Sequence, residues 1–300
     1  MLNFFLKLLQ ILKFSTRLIH VFKFVVELLA LCLGRGLSMS QSQDVKLKAS
    51  SWQRNIWLMS WREFRKRAHE TKLAFLPVGC IEPHGPHLPL GTDFLIAEFI
   101  ATKLAERIEG LLLPVITYGV VRGLSGFPGS IRIPPFALEE TVYGVLSSLG
   151  DNGIKKVIIV NGHGSEHHVK AINKGMDRAW YDSKVRSALV NWWVYARKFS
   201  NEIFGASGDH AGTAETAMMV AINDYLLKNR PIRENCTEHL KSGIRAVPWA
   251  GSILLHEGEN MIIPNKKEAE FFVQRLLDRL ESEIQEILSG WGVQIEAMKE

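Results

Sequence analysis

Leu76–Asp93 reads LPVGCIEPHGPHLPLGTD and crowds Glu82, His84, His87 and Asp93 into twelve residues. Apolar residues at Leu76, Val78 and Ile81 lead in at strand-like spacing, and glycine, proline and metal-binding types then alternate. Side chains two apart on an extended chain project from the same side, so Glu82 and His84 are expected to face one point. Asp93 then opens FLIAEFIATKLAERIEG, whose Leu95, Phe99, Ile100 and Leu104 form the apolar face of a helix. An aspartate at a helix start is often an N-cap. Its second oxygen leaves the ligand reading open as well.

Working outward, the pattern predicts a first helix over Trp57–His69 and a strand over Lys72–Val78. Leu111–Tyr118 reads as a strand start or edge because Pro114 interrupts it. A helix is expected at Leu138–Leu149 and a turn at Asn152-Gly153. KVIIV (Lys156–Val160) is a short apolar strand of the buried parallel type. It runs into NGHGSEHH and a helix at Val169–Trp180, placing His163 at a strand's carboxyl end, where α/β sheets present ligands. Ala188–Tyr195 reads as a further strand, GASGDHAGTAETAMM (Gly205–Met219) as another loop into a helix, and Lys266–Leu288 as a long amphipathic helix. The alternation of strand and helix predicts an α/β fold with a mainly parallel sheet covered on both faces. The glycine-rich stretch GVVRGLSGFPGSIRIPP contains neither GxGxxG nor GxxxxGK[ST], so a phosphate cradle has no sequence support. Two readings of it stay open, a conformationally demanding turn and a wall of the active site.

Three hundred residues with 47% hydrophobic and 22% charged character suit one large α/β domain or two small ones. Cys32, Cys80 and Cys236 form no CxxC spacing, which points to a reducing compartment and a cytoplasmic protein. The net charge of +5 invites a nucleic-acid reading, but its position argues otherwise. Residues 1–50 hold seven basic and two acidic residues, and residues 51–300 hold 29 of each. The main body is neutral and gives no electrostatic case for nucleic acid.

The expected domain organisation is therefore a basic N-terminal extension and linker at 1–50 and a catalytic domain at 51–300. Residues 1–33 carry polar residues every three or four positions in an apolar run, a helical stripe. An interfacial helix on anionic lipid, a targeting segment, and a stretch ahead of a start at Met39 compete as explanations. Lys23 and Glu27 disfavour a membrane span, so membrane contact is expected only through residues 1–33, where that segment is retained.

Glu82, His84, Asp93 and His163 supply two imidazoles and two carboxylates, an N/O donor set suited to Zn²⁺, Mn²⁺ or Fe²⁺. Cys80 shares the strand face of Glu82 and is read as packing. His87 is read as hydrogen-bonded scaffold. His210 precedes a helix and Glu215 lies in its first turn, where it either favours the helix dipole, completes the metal site, or holds a water as a catalytic residue beside His210. His167 and His168 are read as solvated surface, and Glu166 is a secondary candidate ligand. Ser125 and Ser165 lack a GxSxG elbow, so a serine hydrolase has little support.

Taken together, LPVGCIEPHGPHLPLGTD, VNGHG and HAGTAET resemble, in order and spacing, the creatininase family of metal-dependent amidohydrolases over residues 52 to 225. The resemblance implies a three-layer α/β/α sandwich, homo-oligomeric assembly, a small-molecule amide substrate, and two divalent ions per subunit, zinc first with manganese or iron as alternatives. It matches Glu82, His84, Asp93 and His163 to metal ligands, with Asp93 bridging, and His210 to a proton-handling histidine. Creatininases proper carry a glutamate at the position of Ser165 and an aromatic residue at Gly164. Relatives with glycine at the former position keep the glutamate that is Glu215 here, so Glu215 is expected as the remaining acidic ligand, with Glu166 second. The implied activity is hydrolysis of an amide or cyclic-amide C–N bond by metal-activated water, with creatinine itself disfavoured. A deformylase or peptidase of the same superfamily, or a non-catalytic binding protein, are the rivals.

Overall fold

A computed structural model of the chain describes residues 53–206, 210–227 and 262–297. Residues 1–50, with the amphipathic stripe, lie outside the described residues.

Four parallel strands form one sheet in the order β2-β1-β3-β4: β1 Leu73–Val78, β2 Leu111–Leu112, β3 Lys156–Asn161 and β4 Arg186–Asn191. Alternate side chains of the central strands go to opposite faces, as strand geometry requires. Leu73, Phe75, Ile158 and Val160 enter one apolar core, and Ala74, Leu76, Val157 and Ile159 the other. The first core is closed by α2 (Thr92–Ile108), α5 (Trp192–Phe204), α6 (Thr213–Asn223) and α7 (Lys266–Ala297), and the second by α3 (Pro135–Asp151) and α4 (Glu166–Ser183), with Ala68 of α1 (Trp61–Thr71) also buried in it. The result is the expected three-layer α/β/α sandwich.

Local chemistry explains most boundaries. Ser60 and Glu63 make a capping box, each side chain bonding the other's backbone N–H, so α1 starts at Trp61 and not at Trp57. The expected strand at 111–118 shortens to two residues because Pro114 breaks it. It survives beyond that as Leu113 N–H and Ile116 N–H donating to the carbonyls of Phe75 and Pro77, and as Gly79 N–H donating to the Ile116 carbonyl. The N–H that Pro77 lacks would point to this same thinned side, which is why a proline is tolerated in a central strand. Ala188–Tyr195 is corrected at its end: β4 stops at Asn191, and Trp192 begins α5.

From β1 the chain crosses through α2 to β2 on one side, whereas β3 leads through α4 to β4 on the other. The direction of winding therefore reverses between β1 and β3, whose ends are paired at Val78 and Asn161. A parallel sheet opens a ligand crevice at the carboxyl ends of such strands.

Candidate metal centre

Three segments converge on that crevice. The loop after β1 brings Glu82 and His84, the first turn of α2 brings Asp93, and the loop after β3 brings His163. Gly162 lets the last two meet. Its N–H bonds the Val78 carbonyl at 2.8 Å, and a Cβ there would lie 2.0 Å from the Asp93 carbonyl oxygen. Asn161 then shapes the turn, its side-chain oxygen accepting from His163 N–H and its amide donating to the His163 carbonyl, both at 3.0 Å. A fourth segment, the start of α6, carries His210 and Glu215 into the same space.

The two oxygens of Asp93 face different partners. Oδ2 lies 3.0 Å from His163 Nδ1, which is also 3.2 Å from Glu82 Oε1. Oδ1 lies 2.8 Å from His84 Nε2, which is 3.8 Å from Glu215 Oε2. Two donor groups of metal-binding spacing therefore share Asp93: Glu82, Asp93 and His163 with Cys80, and His84, Asp93 and Glu215. Glu82 and His84 also group with His210.

The imidazoles are oriented by backbone carbonyls. His84 Nδ1 donates to the Glu82 carbonyl at 3.1 Å, His163 Nε2 to Val120 at 3.2 Å, and His210 Nε2 to Pro83 at 2.8 Å. Each carbonyl takes one ring proton, so the other nitrogen of each ring faces carboxylate oxygens, the arrangement that sets up histidine ligands. His84 Nε2 is fully buried and, although close to Asp93, lies off the line of a hydrogen bond and has no such partner among the described residues. An orphaned ring nitrogen among carboxylates, in a mixed N/O donor set, fits a divalent cation.

Without a cation the cluster holds protons in its place. Burial opposes charge on His84, but Asp93, Glu215 and Glu82 outweigh it and push the ring up to about 10. For His163 burial is likewise outweighed, by Glu82 and Asp93, again to about 10. Burial raises the Glu215 carboxyl to about 7, with His84 opposing and Asp93 adding to the rise. Burial first, then the charge of His84, pushes His210 down to about 4. His210 and Glu215 are 24% and 13% exposed at their side chains, against 7% or less for Glu82, His84, Asp93 and His163. The mouth of the site is thus on the α6 side.

Glu215 reaches back to accept from Ala211 N–H at 2.7 Å, within a turn where Ala211 adopts φ +56, a sparsely populated conformation for a non-glycine residue. Glu166 is turned to solvent and paired with Lys170, outside the cluster. His87 is buried scaffold as expected: Thr216 gives its hydroxyl proton to the Gly212 carbonyl, so its oxygen accepts from His87 Nε2 at 3.1 Å, tying the β1 loop to α6.

Two expectations change. Cys80 packs against Val121, Leu124 and Phe127, but its thiol also donates to Asp93 Oδ2 at 3.0 Å. His168 is fully buried, not surface, its ring set edge-on to His163 at 4.9 Å. Burial and the charge of His163 push it down to about 3. Trp192 is buried in the core, and Trp193 is the aromatic beside Gly164, 3.7 Å from where a Cβ would stand. In the glycine-rich stretch Val120 contributes the carbonyl that orients His163, and Gly129 takes a turn conformation at φ +89. Asn161, Thr216 and Val120 were missed from sequence; of these only Asn161, beside the Gly-His pair, carried a readable signal.

Fold and site together define an α/β/α protein with a buried carboxylate–imidazole cluster whose donor spacing could hold a metal ion. The chain belongs to the creatininase family: the family's sequence model, described as "Creatinine amidohydrolase", matches residues 57–258. It is similar to the creatinine amidohydrolase of Pseudomonas putida, 27% identical over 183 residues, 55% of this chain and 70% of that protein. It is also similar to the mycofactocin precursor peptide peptidase of Mycolicibacterium smegmatis, 29% identical over 201 residues, 60% of this chain and 72% of that one. Among solved structures, a manganese creatininase superposes with a TM-score of 0.68 at 20% identity, over 78% of this chain and 98% of the other. Among the described residues no helix is long and apolar enough to cross a membrane.

Proposed function

We propose that the chain is a metal-dependent amidohydrolase that cleaves a C–N amide or cyclic-amide bond with an activated water. Asp93 carries the reading, because each of its oxygens faces its own set of donors. Glu82, Asp93 and His163 would hold one divalent ion, and His84, Asp93 and Glu215 the other. Such ions supply Lewis acidity toward a carbonyl oxygen and lower the pKa of water toward neutrality.

The chain's own residues supply the rest. Backbone carbonyls of Glu82 and Val120 fix the ring protons of His84 and His163, keeping the facing nitrogens available as ligands. His210, at the exposed rim with Nε2 tied to Pro83, presents Nδ1 to the site and is placed to take a proton from water and return it to the leaving nitrogen. Gly164 and Ser165 leave the rim without the aromatic and carboxylate side chains of creatininases proper, so creatinine is not the proposed substrate. A peptide amide is the second reading, favoured by the peptidase-named relative.

The test is a hydrolysis screen of zinc- and manganese-reconstituted protein against small amides, cyclic imides, formamides and short peptides. Metal-dependent turnover of any of these supports amidohydrolase chemistry, and the preferred class separates the two readings. A metal-loaded protein inactive across the panel would instead favour a non-catalytic binding role.

A further inference from the structure

The backbone of Val120 lies between two histidines. Its carbonyl accepts from His163 Nε2 at 3.2 Å, and its N–H donates to His168 Nδ1 at 3.2 Å. His168 comes from the first turn of α4, Val120 from the glycine-rich stretch, and His163 from the loop after β3, so this one residue's backbone joins three segments. The His168 ring lies directly on the preceding residue: a Cβ on Gly119 would sit 2.6 Å from Cε1 and 2.7 Å from Nδ1, and 2.7 Å from the Gly79 carbonyl oxygen. Only glycine lets the chain pass between that ring and the end of β1.

Because Nδ1 accepts, the ring proton of neutral His168 is on Nε2, which is buried and has no acceptor among the described residues. A buried donor without an acceptor is destabilising. An apolar side chain would avoid that cost while filling the space. What it would not do is accept from Val120 N–H.

We infer that His168 is a positioning residue for the metal centre: it anchors Val120 by its N–H, and the carbonyl of that same residue fixes the tautomer and tilt of His163. The inference rests on His163 being a metal ligand, as proposed above. Outer partners of this kind characteristically change metal affinity when removed.

The experiment is Co²⁺ titration of the full-length protein, reading affinity and the visible d–d spectrum, for wild type, His168→Phe, His168→Asn and Gly119→Ala. His168→Phe keeps bulk and removes the acceptor, and is expected to weaken Co²⁺ binding roughly 10- to 100-fold and shift the spectrum. His168→Asn supplies a side-chain oxygen in place of Nδ1 and is expected to recover most of the affinity. Gly119→Ala drives a methyl between the His168 ring and the Gly79 carbonyl, which displaces Val120 from His168, and is expected to reproduce the loss, which keeps the test informative should His168→Phe fail to fold. Wild-type affinity and spectrum in His168→Phe, no recovery in His168→Asn relative to a folded His168→Phe, or wild-type binding in Gly119→Ala would each overturn the inference. A wild-type protein that binds no Co²⁺ would remove the metal reading itself, a distinct result.

Discussion

His210 differs from its neighbours in the cluster in one decisive respect: it is the most exposed, and its outer nitrogen is already committed to the Pro83 carbonyl. The role proposed for it is to move protons and not to hold the ions. His210→Ala is therefore expected to retain metal and lose kcat by about 10²–10⁴-fold, the usual range for a general acid or base. Steady-state kinetics with elemental analysis checks both halves, and full activity would refute the assignment. Glu82, His84, Asp93, His163 and Glu215 were legible in sequence because their residue types and their places at strand ends and helix starts announce them. His168 was not. Adjacent residues at a helix start face different ways, and what buries this one is a loop 48 residues away in sequence. Val120 acts through its backbone carbonyl, which no side-chain pattern reveals.

At the scale of elements, β1, β3, α2 and α4 were readable from apolar runs and helical spacing, whereas edges and ends were not. Trp192, Trp193, Val194 and Tyr195 have strand-like composition, yet Trp192, Ala196, Phe199 and Ile203 recur at helical spacing and pack on one core. Periodicity over the longer window decides the outcome against local preference. Pro114 shortened β2 for a reason visible in sequence, although the exact stop depended on pairing with β1. The β3 loop meets the start of α2 at Gly162, where a Cβ would lie 2.0 Å from the Asp93 carbonyl oxygen. Gly162→Ala forces a methyl into the Asp93 carbonyl, and is expected to destabilise the fold by about 1–3 kcal/mol, as overpacking does. Urea denaturation measures this, and an unchanged midpoint would show that the two segments separate at no cost.

For the molecule as a whole, the site joins segments from both sides of the sheet's winding reversal, so metal binding and folding are linked. In chelated protein His84 and His163 titrate near 10, above the 6.5 of a free imidazole. The stability they contribute is complete below about pH 6.5 and is lost as pH rises toward 10. Glu215, raised from 4.5 to about 7, adds a loss of the same sign that begins near pH 4.5 and is complete near 7, ahead of the histidines. The Tm of chelated protein is accordingly expected to fall between pH 6.5 and 9.5 and to recover on adding Zn²⁺. A Tm that rises over this range without metal would contradict the electrostatic account of the cluster.

The central claim is that Asp93 serves two metal positions at once, and metal stoichiometry tests it most directly. Elemental analysis of purified, zinc-reconstituted protein is predicted to give two ions per wild-type chain and none in Asp93→Ala, with the variant shown to be folded by circular dichroism. A folded Asp93→Ala variant that still carries two ions per chain would contradict it.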